Sequence, residues 1–237
     1  MGEAQLGLPL PLLTLEHWLS VWSYLPTLLQ GLSVNLALLG GLLGVGFVLG
    51  VIVALLEVYG PRGLRLLAAG YAWVFRSIPE ILLLLLMWFG PAQFGLSISP
   101  FTAAVLALGL RSSAYQAEIF RGALQAIPTG QTLAARALGF SRLQAIRYVL
   151  LPQALRLSLA GWGNEFAVVL KDTTLAYAIG VVEVMRQARY IGSRDFPLTL
   201  PAYILVAMLF LVVTYFGLFL LGNVEKRLRI PGLEARR

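Results

Sequence analysis

Several ionisable residues lie at helical spacing inside segments that are otherwise apolar. Arg111, Tyr115 and Glu118 stand at positions i, i+4 and i+7, so a helix would place all three on one face. Glu165 and Asp172 are also seven residues apart and would share a face of another helix. A charge at the centre of a membrane helix costs about 2.5–3.5 kcal/mol on insertion scales, so each of these groups requires a partner or a ligand.

More charged and polar groups accompany these two sets. Lys171 and Thr173 flank the second of the acids, and Arg76 and Glu80 lie four residues apart on either side of Pro79. Arg76 and Glu80 can pair with each other across one helical turn. Because Pro79 removes a backbone donor, we expect a kink or break at this point of the helix.

These ionisable groups have two alternative roles, and the spacing alone leaves both open. They can form interhelical salt bridges, for example Arg111 with Glu118 or Lys171 with Asp172, without contacting any ligand. Alternatively, facing helices that carry Arg111 on one side and acids on the other can bind a solute with both charges.

The composition indicates a membrane protein. The chain has 237 residues, of which 59% are hydrophobic and only 12% are charged, with a mean hydropathy of +0.81. A soluble domain usually carries about a quarter charged residues. No cysteine and only one histidine, His17, are present, which argues against disulfides and against thiolate or histidine metal sites. We therefore relate the net charge of +7 to the bilayer and not to nucleic acid.

The hydropathy pattern predicts an all-α membrane protein with about five transmembrane helices. The predicted spans cover residues 30–56, 64–89, 100–124, 153–177 and 196–224. Residues 1–24 contain no Lys or Arg, so no cleavable signal is predicted there. With the N-terminus outside, the inner segments hold twelve Lys and Arg residues and the outer segments hold three. The positive-inside rule then predicts an outer N-terminus and an inner C-terminus.

Glycines in the first predicted span recur at four-residue spacing. Gly40 and Gly44 form one pair, and Gly46 and Gly50 form a second. Small residues at this spacing allow helix backbones to approach closely in a membrane. We expect these glycines to contact a neighbouring helix.

A basic segment connects the third and fourth spans. From Leu133 to Arg156 it carries four arginines and no acid. Strong helix formers reach Leu138, Gly139 interrupts the pattern, and Ser141 can cap a second helix. The segment therefore reads as an amphipathic helical pair on the cytoplasmic side.

This segment resembles the cytoplasmic signature of ABC importer permeases. That signature is Glu-Ala-Ala, three residues, Gly, nine residues and Ile-x-Leu-Pro. Here Ala134 and Ala135, then Gly139, then Val149-x-Leu-Pro follow at the same spacing. Leu133 stands where the family has Glu, which removes any salt bridge that the family makes there.

Three further motifs extend the resemblance over about residues 25–225. They are "FRSIPEILLLLLMWFG", "AYQAEIFRGALQAIPTGQ" and "GNEFAVVLKDTTLA", and they are similar to permeases for polar amino acids. The resemblance implies one transmembrane permease domain over residues 1–237, with its core at 25–225 and a coupling helix region at about 130–148. It also implies a multi-pass protein of the bacterial inner membrane.

The family resemblance further implies how ATP is used. The coupling helix would dock on a dimer of separate ATPase subunits through residues that are mostly small: Ala134, Ala135, Gly139, Phe140 and Ser141. No phosphate-binding sequence G-x-x-x-x-G-K-[ST] occurs in this chain. We therefore expect no enzymatic activity and no cofactor in this chain, with ATP and Mg on the ATPase. Further implied partners are membrane lipid, a second copy or a related permease chain, and an extracytoplasmic substrate-binding protein near residues 182–196.

A polar amino acid brings a carboxylate and an ammonium, each of which requires an opposite charge or several hydrogen bonds. The residues predicted to bind it are Arg76, Arg111, Tyr115, Glu118, Glu165, Lys171, Asp172 and Thr173. The sequence "IPEI" (78–81) resembles the branch for basic amino acids, while glutamine or an acidic amino acid remains an alternative. A different alternative is an ion-coupled carrier or channel for a small polar solute that uses the three acids of this set as a proton path. A lipid enzyme is disfavoured because no acid–base or metal constellation is present.

Overall fold

The computed structural model describes residues 15–228, and every regular element in that part of the chain is helical. The first half contains α1 (Leu15–Ser20), a 3-10 turn (Val21–Tyr24), α2 (Leu25–Tyr59), α3 (Arg62–Ser77), α4 (Glu80–Gln93) and α5 (Pro100–Ala126). The second half begins with α6 (Thr129–Ala137), α7 (Arg142–Ala145), a π-helical turn (Ile146–Leu150) and α8 (Leu151–Leu157). It ends with α9 (Leu159–Asp172), a 3-10 segment (Thr173–Ile179), α10 (Val184–Arg194), a 3-10 turn (Phe196–Leu198) and α11 (Thr199–Leu228).

Two helical segments are long and apolar enough to cross a membrane. They are Leu15–Tyr59, with 45 residues, and Phe196–Leu228, with 33 residues. Helices α3 and α4 together form a third candidate, bent by 102°. The all-helical prediction is confirmed for the described residues, whereas five passes and the sides of the termini remain predictions. Three of the inner arginines, at positions 229, 236 and 237, lie outside the described residues.

Proline sets the bend between α3 and α4. Ile78 is extended, with a ψ of 131°, because the residue before a proline disfavours the helical region. Pro79 then starts α4. The predicted break at this position is confirmed. The predicted pairing of Arg76 with Glu80 is wrong, since the bend separates the two side chains and each pairs with α5 instead.

Two of the four spaced glycines bring α2 against α5. A Cβ atom on Gly46 would lie 2.2 Å from the Gln116 amide nitrogen, and one on Gly50 would lie 2.9 Å from the Gln116 Cβ. A Cβ on Gly40 or Gly44 would meet nothing within 4 Å. The close-packing prediction is therefore confirmed for the second pair and wrong for the first, which lies on another face of α2.

Helix α2 runs between the two ends of the molecule. Near its beginning, Gly31 lies against the backbone of Val184 in α10, so closely that a Cβ would come within 2.7 Å of the Val184 Cα. At its end, the Tyr59 carbonyl accepts a hydrogen bond from Arg142 of α7 at 3.1 Å. Gly31 and Tyr59 are about 40 Å apart along an α-helix that rises 1.5 Å per residue. Helices α10 and α7 consequently lie at opposite ends of α2.

Candidate functional site

Arg111 is the centre of an ion-pair cluster contributed by three helices. This buried residue of α5 pairs with Glu80 at the start of α4 and with Asp172 at the end of α9, where Nη1 to Oδ2 is 3.0 Å. Its guanidinium also lies over the Tyr115 ring, 4.6 Å from the ring centroid. The prediction that Arg111 and Asp172 lie on facing helices is confirmed. Glu80 completes the cluster, although the sequence had indicated Arg76 as its partner.

Glu165 of α9 belongs to a chain of hydrogen bonds that includes Ser112, the residue after Arg111. The Ser112 hydroxyl donates to the Glu165 carboxylate at 2.7 Å and accepts from the Gln116 amide at 3.1 Å. The Gln116 carbonyl in turn accepts from the Trp162 indole at 2.7 Å. The Glu165 carboxylate is buried and accepts one hydrogen bond here, from Ser112. A carboxylate has about four acceptor sites, so it can accept further hydrogen bonds.

A second ion-pair cluster lies further along α5. Glu118 pairs with Arg121 one turn later and with Arg76 of α3, where Arg76 Nη1 to Oε2 is 3.6 Å. Arg121 also pairs with Glu57 near the end of α2 at 3.3 Å. Glu118 is about 10 Å beyond Arg111 along the helix. The predicted alternative of an Arg111–Glu118 pair is therefore wrong, because each of them has partners on other elements.

Two predicted ligand residues lie apart from these clusters. Lys171 is exposed and has no carboxylate oxygen within 4 Å among the described residues, so it does not pair with Asp172. Thr173 is fully buried. Its hydroxyl donates to the Leu170 carbonyl at 2.6 Å and accepts from Asn35 at 2.9 Å, which leaves it no free donor.

The Thr173 contact belongs to a buried polar network that the sequence did not indicate. Asn35 of α2 donates to Thr173 and to Glu183, and its carbonyl accepts from the Val184 amide at 3.0 Å. Glu183 also caps α10 by accepting from the Met185 and Arg186 amides. Burial raises the pKa of Glu183, against the opposing effect of these hydrogen bonds. The network fixes α10 to α2 and to the end of α9.

The basic segment forms a helical pair, as predicted. Gly139 ends α6 with a φ of +85°, a backbone conformation that favours glycine, and Ser141 caps α7 in a reciprocal capping box with Gln144. Ala134 is exposed, whereas Ala135 is only 3% exposed and faces the rest of the chain. Phe140 is half-buried. Ala135 is therefore not part of the exposed surface of this segment.

The exposed surface of the basic segment carries apolar side chains as well as arginines. Three leucines point away from the chain, and they are 68%, 80% and 73% exposed: Leu133, Leu138 and Leu143. Large apolar side chains at a polar, arginine-bearing surface mark an interaction site. These leucines are a feature of the segment that the spacing of alanine and glycine had not revealed.

Among the described residues, no group of three or more acidic, histidine or cysteine side chains could hold a metal ion. The candidate site is built from ion pairs and hydrogen bonds along α5. Ionisable residues inside apolar helices are rare, and they either pair with one another or mark a path for ions or polar solutes.

The chain belongs to the family of binding-protein-dependent transport system inner membrane components, whose sequence profile matches residues 46–230. It is 37% identical over 216 residues to the glutamine transport system permease protein GlnP of Escherichia coli (strain K12), a match that covers 90% of this chain and 98% of GlnP. It is 36% identical over 200 residues to the nopaline transport system permease protein NocM of Agrobacterium fabrum, covering 80% and 83% of the two chains.

Solved structures agree with this assignment. A chain of an amino acid ABC transporter crystallised with histidines matches with a TM-score of 0.80 and 38% identity, covering 89% of this chain and 98% of that chain. A chain of the inward-facing MetNI methionine ABC transporter matches with a TM-score of 0.72 and 26% identity, covering 88% and 99%. The protein thus has the type I ABC permease fold and is a permease subunit of an ABC transport system. Family membership implies an ATPase and a substrate-binding protein as partners.

Proposed function

We propose that this permease subunit of an amino-acid ABC importer moves a polar amino acid along the face of α5 that carries Arg111, Tyr115 and Glu118. The observation that carries the proposal is the convergence of ion pairs from α3, α4 and α9 on this one helix. Such charges are costly in a membrane interior, so a transport subunit retains them where a charged solute passes. The names of the glutamine and nopaline permeases support the class of substrate.

The charges near Arg111 favour an amino acid with a basic side chain. The Arg111 guanidinium pairs with two carboxylates, those of Glu80 and Asp172, and a third acid, Glu165, accepts a hydrogen bond from the neighbouring Ser112. The two paired carboxylates exceed the one guanidinium by one negative charge, which a substrate ammonium or guanidinium can balance. Glutamine would use the same groups for its α-ammonium alone, and an acidic amino acid would be repelled.

In this proposal the second ion-pair cluster is a second substrate-binding position, nearer the cytoplasm. Arg76 and Glu118 pair with each other and are both partly exposed, so a substrate can replace one of them as the partner of the other. Thr173 is excluded from the proposed pathway because its hydroxyl is buried and engaged. Lys171 is retained only as an exposed charge beside Asp172.

We propose that the exposed face of α6 and α7 docks on an ATPase dimer, which supplies ATP and Mg. Leu133, Leu138 and Leu143 would contact the ATPase, with Ala134 and Gly139 allowing close approach. Leu133 in place of the family glutamate suits an apolar rather than a basic position on that subunit. This chain then acts without catalysis of its own, paired with a second copy or a related chain in the bacterial inner membrane, with five passes and an outer N-terminus.

The decisive experiment is uptake by the reconstituted transport complex carrying Glu165→Gln. Glutamine retains a carbonyl that accepts from Ser112, so the complex should assemble normally. Loss of the negative charge should lower uptake and substrate-stimulated ATPase activity about tenfold or more. Glu118→Gln is the comparison variant: Glu118 also lies on the proposed path but is partly exposed, so its loss of charge should lower uptake less than Glu165→Gln does. An assembled Glu165→Gln complex with unchanged affinity and rate would contradict the proposal.

The same preparation tests the substrate and the energy source. A panel of amino acids should give the strongest ATPase stimulation with basic ones, and stimulation by acidic ones alone would contradict the charge argument. Uptake that continues without ATP and follows a proton gradient would instead support an ion-coupled carrier.

A further inference from the structure

Helices α5 and α9 share a chain of hydrogen bonds whose donors all point in one direction. The Trp162 indole donates to the Gln116 side-chain carbonyl at 2.7 Å, and the Gln116 amide donates to the Ser112 hydroxyl at 3.1 Å. That hydroxyl donates to Oε1 of Glu165 at 2.7 Å. Two of the four residues are four apart on α5 and the other two are three apart on α9, so each pair shares a helical face. We call Trp162, Gln116, Ser112 and Glu165 the donor chain.

The direction of the donor chain is fixed by groups that can only donate or only accept. An indole N–H is a donor without an acceptor atom, so the Gln116 amide must present its oxygen to Trp162. The amide nitrogen then faces the Leu43 backbone carbonyl at 3.5 Å, which can only accept, as well as the Ser112 hydroxyl. A flipped Gln116 amide would bring two donors together at Trp162 and two acceptors together at Leu43.

A glycine of α2 provides the space in which the donor chain is assembled. Gln116 is 0% exposed, and a Cβ on Gly46 would lie 2.2 Å from its amide nitrogen and 3.0 Å from the Ser112 hydroxyl oxygen. A larger residue at position 46 would therefore displace the amide from the hydroxyl. The arrangement thus depends on the close approach of α2 to α5 as well as on the contact between α5 and α9.

The donor chain ends on one oxygen of the Glu165 carboxylate. The Ser112 hydroxyl has a single hydrogen and its oxygen already accepts from Gln116, so the hydrogen is directed to Oε1 of Glu165. Oε1 is thereby held as an acceptor. The other oxygen, Oε2, has no hydrogen-bond partner among the described residues and is not completely enclosed. Oε2 can therefore accept from a cationic group that enters the site.

We propose that Gln116 and Trp162 are positioning residues for substrate binding, which act through Ser112 on Glu165. They fix Oε1, so that Oε2 is available to the ammonium or guanidinium group of the substrate. Gln116 and Trp162 themselves do not touch the substrate. A binding group that is oriented before the ligand arrives loses less freedom on binding, which increases affinity. This inference rests on the proposed function, in which Glu165 contributes to the binding of the amino acid.

The test measures the dissociation constants of radiolabelled L-arginine and L-glutamine on the complete permease–ATPase complex in lipid nanodiscs. Trp162→Phe removes the indole donor and keeps an aromatic ring, so it should raise the dissociation constant about three- to tenfold. Trp88→Phe is the matched control. Trp88 is also half-buried against an apolar core, but its indole makes no hydrogen bond among the described residues. This control should change the dissociation constant less than about twofold.

A double-mutant cycle separates positioning from a purely structural role. Ser112→Ala removes the donor to Glu165 and should raise the dissociation constant at least as much as Trp162→Phe does. Because Ser112→Ala already interrupts the donor chain, adding Trp162→Phe should change the constant less than about twofold further. A structural role would instead reduce the amount of assembled complex on size exclusion and leave the dissociation constant of the assembled fraction unchanged. Gln116→Met, which removes the amide, replaces Trp162→Phe in the cycle if that variant does not assemble.

Three results would overturn the positioning role. They are an unchanged dissociation constant in Trp162→Phe, an equal rise in Trp162→Phe and Trp88→Phe, and a full additional rise when Trp162→Phe is combined with Ser112→Ala. If the wild-type complex binds neither amino acid, or if Glu165→Gln binds as tightly as the wild type, the proposed function itself fails. Weaker binding in Glu165→Gln together with unchanged binding in Trp162→Phe would contradict the positioning role alone.

Discussion

Gly50 of α2 lies against the backbone of α5, and Gly50→Ala tests this contact. The added Cβ would lie 2.9 Å from the Gln116 Cβ, 3.1 Å from the Ala117 nitrogen and 3.1 Å from the Ser113 carbonyl oxygen. Two of these three atoms belong to the backbone of α5. They cannot be moved by rotating a side chain, so the two helices must separate.

The expected cost follows from this geometry. Inserting one extra carbon into a packed interface costs about 1–3 kcal/mol. Replacing glycine by alanine within a helix stabilises the helix by about 0.5–1 kcal/mol. Gly50→Ala should therefore lower the free energy of unfolding by about 1–2 kcal/mol. Because Gln116 is also displaced, its hydrogen bonds to Ser112 and Trp162 should weaken, and uptake should fall.

Gly40→Ala is the matched control, since a Cβ at Gly40 meets nothing within 4 Å. It should leave the free energy of unfolding unchanged or raise it by up to about 1 kcal/mol. The assay is reversible unfolding of the purified permease in mixed detergent micelles, with both variants measured beside the wild type. If Gly50→Ala and Gly40→Ala agree within about 0.5 kcal/mol, the close approach of α2 and α5 is refuted.

Three further predictions concern the ion pairs and the helical pair. Arg111→Met leaves its carboxylate partners unpaired and should destabilise the protein by about 3 kcal/mol. Adding Asp172→Asn to the same chain should restore part of this stability, and size-exclusion profiles of the solubilised protein report the loss and the recovery. Ser141→Ala removes the cap of α7, which should cost about 1 kcal/mol and speed amide exchange at residues 142–145. Ala134→Trp should uncouple ATP hydrolysis from uptake in a stable protein, whereas Ala135→Trp should lower stability first, and the reverse result would contradict the orientation of α6.

The sequence predicted part of the ion-pair cluster on α5, and the substrate-binding role of its residues stays a prediction. The spacing of Arg111 and Glu118 placed both on one helical face, and the facing of Arg111 and Asp172 is confirmed. The partner of Glu80 was predicted wrongly, because pairing across one turn presumes a continuous helix and Pro79 ends it. Ser112 and Gln116 were missed, although two polar residues four apart in an apolar helix are a signal that could have identified them.

The local breaks of the chain were determined by the sequence itself. Pro79 stops one helix and starts another, Gly139 ends α6 at positive φ, and Ser141 caps the next helix. Each of these effects involves only a residue and its neighbours within about one turn, so it can be recognised without knowing the rest of the fold.

Only the tertiary structure decided which of several equivalent positions face another helix. Gly46 and Gly50 meet α5 while Gly40 does not, and Ala135 is buried while Ala134 is exposed, although the sequence treats the members of each set alike. The difference arises from contacts between residues far apart in the chain, which depend on how whole helices are oriented. A short-range pattern specifies a face, and the packing of all the helices together selects the partner of that face.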